Sequence, residues 1–141
     1  MGTKVVNTLP VAVAMKKPDG TVVTYQPSGV VVSMKQEFIR IQDIDGIPAA
    51  ATAYCEIGPF DMDSPVFKDA THIIVAMPVG EYLKMFDDDV DSQLLTSPWR
   101  GRTIIGPDSG PAHATRGATG QIVHCDQWIV YHEAVLPRKD E

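Results

Sequence analysis

No stretch of this sequence is apolar for long enough to cross a bilayer. Its longest such runs, "GVVV" and "HIIVAM", fall far short of the ~20 residues that a spanning helix needs. Basic residues are scarce too: twelve Lys and Arg stand against eighteen Asp and Glu, a net charge of −6. Duplex binding draws on Lys and Arg gathered on one face, so nucleic acid is not an expected partner. Cysteine is limited to Cys55 and Cys125, and the opening "MGTKVVNTLPVAVAMKK" has no basic segment ahead of a continuous apolar one. No export signal and no disulfide framework are therefore expected, and both thiols read as reduced, small, buried residues.

Chemistry-bearing motifs are missing as well. The four histidines, His72, His113, His124 and His132, contain no pair at the helical zinc spacing, and there is no C-x-x-C. The acidic run Asp87 to Asp91 lacks the Gly and terminal Glu of a calcium loop; it reads as a solvated loop after a helix. P-loop, G-x-G-x-x-G and G-x-S-x-G are all absent, and Ser109 has no strand-to-helix elbow around it. The expectation is a protein with no metal, no cofactor and no enzymatic activity.

What is present is a globular composition, 44% hydrophobic and 21% charged over 141 residues, which fits one domain spanning 1–141 with its own core. Turn chemistry punctuates it. Pro18-Asp19-Gly20 separates "VAVAM" from "TVVTYQ", a hairpin signature with Gly supplying positive φ. Gln26-Pro27-Ser28-Gly29 turns again before a third strand, "VVVSM". "EFIRIQDI" alternates apolar and polar, Asp45-Gly46 turns, and "AAATAYCEI" is read as the returning strand, although its period alone also allows a helix. "GPFDMDSPVFKD" is a loop. "THIIVAM" is a buried strand, and Pro78 to Phe86 has the spacing of the main helix, with Val79, Tyr82, Leu83 and Phe86 on one side. A short helical turn is expected at Ser92 to Leu95. "TIIG", "QIVHC" and "QWIVYHEAV" complete the strands. The result is a β-dominated α+β domain, a mostly antiparallel sheet or small barrel or sandwich with one or two short helices. The segments 58–69 and 87–102 read as loop insertions.

The stretch "GPDSGPAHATRGATGQIVHC", Gly106 to Cys125, admits two readings. "DSGPAHA" is similar to a loop of heptosyltransferase-type glycosyltransferases that opens a helix onto a nucleotide phosphate. Those enzymes need two Rossmann domains, for which this chain is too short, and Gly117 and Gly120 break any helix after His113. The other reading is a loop running into a strand near His113 to Arg116, a turn at Gly117 to Gly120, and a return strand.

That second reading fits a wider likeness. The opening "NTLPV", the hairpin "PDGTVVTYQPSGVVVSM", the strand and helix "HIIVAMPVGEYLKM" and the late "GPDSGPAHATRGATGQIVHCDQWIV" occur in an order that resembles a family of small uncharacterised phage, prophage and bacterial proteins. Its members have an N-L-T-P-H-type opening and a late P-D-T-G-P motif. In this chain Thr and Leu are exchanged in the opening and the motif histidine is missing, while Ser109 keeps the hydroxyl of the late motif. The resemblance implies a phage-type protein of the host-cell cytoplasm or the virion, and it supplies no activity.

Function must then come from the site. Between Arg100 and Arg116 three arginines and His113 face one carboxylate, Asp108, a locally positive segment in an acidic chain. The stiff Gly/Pro loop Asp108-Ser109-Gly110 presents backbone N–H groups, Arg116 can grip a phosphate with two parallel bonds, and Arg102 and His113 can complete a pocket. The alternative for Asp108 is a turn cap, and for the arginines pairing with the acidic run. Two functions follow as expectations. One is a non-enzymatic binder that sequesters a small anionic, nucleotide-like signal in an anti-defence role. The other is a virion structural protein, a capsid decoration or connector, with other virion proteins as partners. A homo-oligomer is expected from the large apolar surface of Trp99, Trp128, Tyr131 and the segment near Met85.

Overall fold

The computed structural model describes residues 2–85 and 98–134, with the side chains of residues 53–55 excepted. Phe86, the acidic run and the expected helical turn at Ser92 to Leu95 lie outside the described residues. The fold is β-dominated with one α-helix among them.

Three sheets make it up. The first is mixed and runs in the order β1 (Val5–Asn7), β6 (His72–Ile74), β7 (Thr103–Pro107), β10 (Trp128–His132), with β1, β6 and β7 parallel and β10 antiparallel to β7. The second runs β3 (Val22–Tyr25), β2 (Val13–Lys16), β9 (Ile122–Cys125), β8 (Ala114–Arg116). Its two hairpins are joined by a parallel contact of β2 with β9. The third is a two-stranded ribbon, β4 (Met34–Ile44) with β5 (Ile47–Ile57).

The first sheet buries both faces, which is why its strands read as short runs of Val and Ile rather than as strict alternation. Val6, Ile73 and Ile104 point to one side, where α1 (Met77–Lys84) lays Val79 and Leu83 on them beside Phe67 and Trp99. Ile74 and Ile105 point to the other, where Val13, Met15 and Cys125 of the second sheet meet them. The layers are therefore helix, mixed sheet, second sheet. Pro78 sits at the start of α1, where a missing N–H costs nothing, and Lys84 occupies its last turn.

One expectation needs correction. "VVVSM" is not a regular strand: residues 30–33 form an extended strap in which Val32 is buried and gives its N–H to the Thr8 carbonyl at 3.1 Å, so the strap lies against the β1–β2 connection instead of extending a sheet. The loop 58–69 also contributes to the core. A single 3-10 turn at Pro65–Phe67, capped by Ser64, buries Phe67 in the core, and Phe60 packs on Phe67 and Trp99 with ring centroids 6.4 and 5.7 Å away.

The ribbon is unlike the rest. Met34 and Ile57 root it in the core, and Gly58 closes its base by donating to the Ser33 carbonyl at 2.8 Å. Beyond them every described residue of β4 is exposed. The two-residue turn Asp45-Gly46 has φ of 53° and 74°, the type I′ geometry that matches strand twist and that Gly adopts without cost. An 11-residue strand reaches about 35 Å, so the ribbon is a projecting arm.

Candidate functional site

The segment 107–127 folds as the strand–turn–strand reading expects. β8 and β9 pair antiparallel, and Gly117 and Gly120 close the turn, with Gly117 N–H donating to the Gln121 carbonyl at 2.8 Å. The preceding loop is held from within. Asp108 Oδ1 accepts from the Gly110 N–H at 3.0 Å, and Oδ2 accepts from Gln127 Nε2 at 3.0 Å. The Asp108 N–H in turn donates to the Gln127 carbonyl at 2.9 Å. Asp108 is thus an Asx turn cap that also ties β7 to the β9–β10 connection. His113 follows the same pattern: its ring Nδ1 meets Asp126 Oδ1 at 2.9 Å, while its carbonyl accepts from the Asp126 N–H.

The arginines are placed differently from the expectation. Arg116 turns its guanidinium onto the carbonyl of Gly120, across its own hairpin, at 2.8 Å. Arg102 is 2% exposed, and its three nitrogens donate to the carbonyls of Ala70, Pro98 and Phe67 at 3.1, 2.8 and 2.7 Å. It clamps the loop 67–70 to the turn before β7. Arg102 is therefore a structural arginine and not a wall of a ligand pocket, because five fixed N–H donors satisfy buried carbonyls that no other side chain can reach together. Arg100 is exposed.

Asp108 and Arg116 both act on Cys125. Burial pushes the Cys125 thiol above its ordinary range, Asp108 and Asp126 push it further, and Arg116 opposes them. Cys125 is free and buried; the Cys55 side chain lies outside the description. Ser109 is brought elsewhere, to the rim of an apolar groove of about 390 Å³ between β2 and β9 that includes Val11, Val13, Ile122, Val123 and His124. Asp108 and His113 thus bond to Gly110, Gln127 and Asp126, Ser109 opens onto one groove and His113 onto another, and Arg102 lies apart from them.

That second cleft, about 430 Å³, brings Lys16, Lys17 and His113 together with Asp126 and Gln127. Lys16 and Lys17 were not singled out from the sequence, where they read only as the end of a hairpin strand. A third cleft, also about 430 Å³, opens between the first two sheets beside Tyr25, His72, Thr103 and Trp128. The Tyr25 and Trp128 rings meet edge to face at 5.6 Å. His72 donates or accepts at Thr71 Oγ1, 2.8 Å away, and burial lowers its pKa.

Among the described residues, exposed large apolar side chains concentrate on the arm. Phe38 is 71% exposed, and Ile39, Ile41, Ile44 and Ile47 are exposed with it. Cross-strand register puts Phe38 opposite Thr52, and Ile39 and Ile41 opposite Ala51 and Ala49, so apolar side chains occupy both faces of the ribbon. Comparison with known proteins finds no matching family model, no matching curated protein and no matching solved structure.

Proposed function

We propose that this chain is a non-enzymatic assembly protein, of the class of a capsid decoration or connector, that joins a larger structure through its β4–β5 arm. One observation carries the reading: a two-stranded ribbon of 11-residue strands, rooted in the core at its base through Met34 and Ile57, with large apolar side chains exposed on both faces. A two-stranded ribbon is marginal by itself in water, and contiguous apolar surface of this kind marks a protein contact. Coverage by another chain resolves both problems at once. The order of sequence motifs, which resembles that of small phage proteins, supports a place in a virion or in the cytoplasm of an infected cell.

The experiment is to follow the protein through particle purification, wild type against Phe38→Ser/Ile41→Ser, which leaves the core untouched. Assembly predicts that wild type sediments with particles and that the arm variant stays in the supernatant. Equal behaviour of both would overturn the reading.

A second reading, a binder of a small anionic, nucleotide-like molecule, is favoured by the convergence of Lys16, Lys17 and His113 on one cleft. Charge-assisted bonds to a phosphate contribute about 1.5–3 kcal/mol each, so Lys17→Ala should weaken binding about ten- to a hundredfold. Calorimetric titration with cyclic nucleotides and ADP-ribose derivatives tests it, and no heat from any of them ends it.

A further inference from the structure

We propose that the arm's partner is a second copy of this chain, with the tip residues Ile44 and Ile47 seated in the apolar groove between β2 and β9 of that copy. The proposal rests on the assembly reading and names its partner. Ile44 and Ile47 are a directly opposed pair beside the Asp45-Gly46 turn, so both side chains leave the ribbon on the same face. They are 65% and 64% exposed, and together they form a blunt apolar knob at the end of a projecting arm.

The same chain carries a matching socket. The groove of about 390 Å³ has Val11, Ile122 and Val123 on its exposed walls and Val13 and Cys125 buried at its floor. Among the described residues no Asp, Glu, Lys or Arg lines it. Copies of a chain with net charge −6 repel one another at long range, so a stable self-contact requires a patch from which charge is absent. On the arm itself the charges are largely paired, Lys35 with Glu56 and Arg40 with Asp43, both at 3.0 Å. His124 lies in the groove wall with its Nδ1 buried and without a hydrogen-bond partner among the described residues.

Area measures what exchange with a second copy adds. A ribbon of two 11-residue strands is about 35 Å long and about 10 Å wide, so one face offers about 350 Å². A stable interface takes about 800 Å² from each partner. A single arm laid by one face on a foreign protein falls well short. When two copies exchange arms, each gives one arm face and receives the other's on its body, which brings each side to about 700 Å² and the total into the standard class. The exchange is two-fold, so the same arm-to-body contact is made twice.

The test is sedimentation velocity of the full chain with two surface variants, Ile44→Asp/Ile47→Asp at the knob and Val11→Asp/Val123→Asp at the socket. Wild type should be a dimer. Each variant should lose at least about a hundredfold in association constant, because a carboxylate replaces a side chain buried in the contact, while circular dichroism and the melting temperature of the monomer stay unchanged. Mixing the two variants should restore a weak dimer, since the intact arm of one fits the intact socket of the other. Wild type that is monomeric at all concentrations overturns the proposal, as does a dimer that the knob variant breaks and the socket variant does not. The assembly reading is separable: if the monomeric chain still enters particles and the knob variant does not, the arm's partner is another protein and only the second-copy proposal fails. If the knob variant changes neither sedimentation nor particle association, both fail.

Discussion

The Tyr131 ring lies directly on Gly80. A Cβ at that glycine would sit 2.3 Å from Tyr131 Cδ2, and on the same ring a Cβ at Gly106 would sit 3.1 Å from Cε2. α1 therefore docks on the first sheet through an aromatic ring held between two glycines, one on the helix and one on β7.

Gly80→Ala should destabilise the fold although it improves helix propensity. The propensity gain is about 1 kcal/mol. Overpacking against a ring that Gly106 also confines costs about 1–3 kcal/mol and wins at this distance. A melting temperature lower by a few degrees is expected; an unchanged or higher one would show that the ring can shift.

Tyr131 also sets an alkaline limit. Burial raises its pKa above the ordinary value of 10.0, with Glu81 and Asp108 adding to the effect. The folded state therefore holds the proton more tightly than the unfolded chain. The associated stability is complete below about pH 10 and is lost as pH rises through the folded value. Urea unfolding midpoints measured from pH 8 upward should fall above about pH 10, and Tyr131→Phe should flatten that part of the fall.

Asn7 is 2% exposed and fully engaged: its Nδ2 donates to the carbonyls of Val11 and Tyr25 at 2.9 and 3.0 Å, and its Oδ1 accepts from the Leu9 N–H at 2.9 Å. Asn7→Asp is nearly isosteric but sets a carboxylate oxygen against two carbonyl oxygens at a buried position. A loss of about 3 kcal/mol or more is expected at neutral pH, easing in acid as the new carboxyl is protonated. Chemical denaturation at two pH values checks it, and equal losses at both would count against the electrostatic cause.

Arg102→Met should cost about 3 kcal/mol or more, since three buried carbonyls lose their donors together. Arg102→Lys should recover little of this, because one ammonium cannot reach three divergent oxygens as a planar fork does. A lysine variant as stable as wild type in a denaturant titration would refute the clamp.

The turns were the most legible part of the sequence. Pro18-Asp19-Gly20, Asp45-Gly46 and Gly117 to Gly120 fall where the chain reverses, because positive φ at Gly20, Gly46 and Gly120 is a local requirement that residue type states openly. The helix was legible from Pro78 and the spacing of Val79 and Leu83. Strand partners were not: parallel pairing of Val5 with His72 and of His72 with Thr103 joins residues far apart in the chain, and nothing local encodes it. The same gap explains Arg102. Its charge suggested a ligand, and only tertiary placement reveals the three carbonyls. Asp108 as a turn cap was readable; the exposure of the arm was not, since alternation in "EFIRIQDI" is equally suited to a strand that covers a core.

The arm has a further consequence during synthesis. Its strands are neighbours in sequence, so the hairpin can close from local contacts as soon as Ile57 has left the ribosome, whereas the first sheet waits for His132. A nascent chain therefore displays Phe38 and the tip isoleucines while it still lacks the body that carries the groove. Chains growing side by side on one messenger would meet arm to arm first, which makes the polar breaks at Arg40, Gln42 and Asp43 gatekeepers against premature stacking.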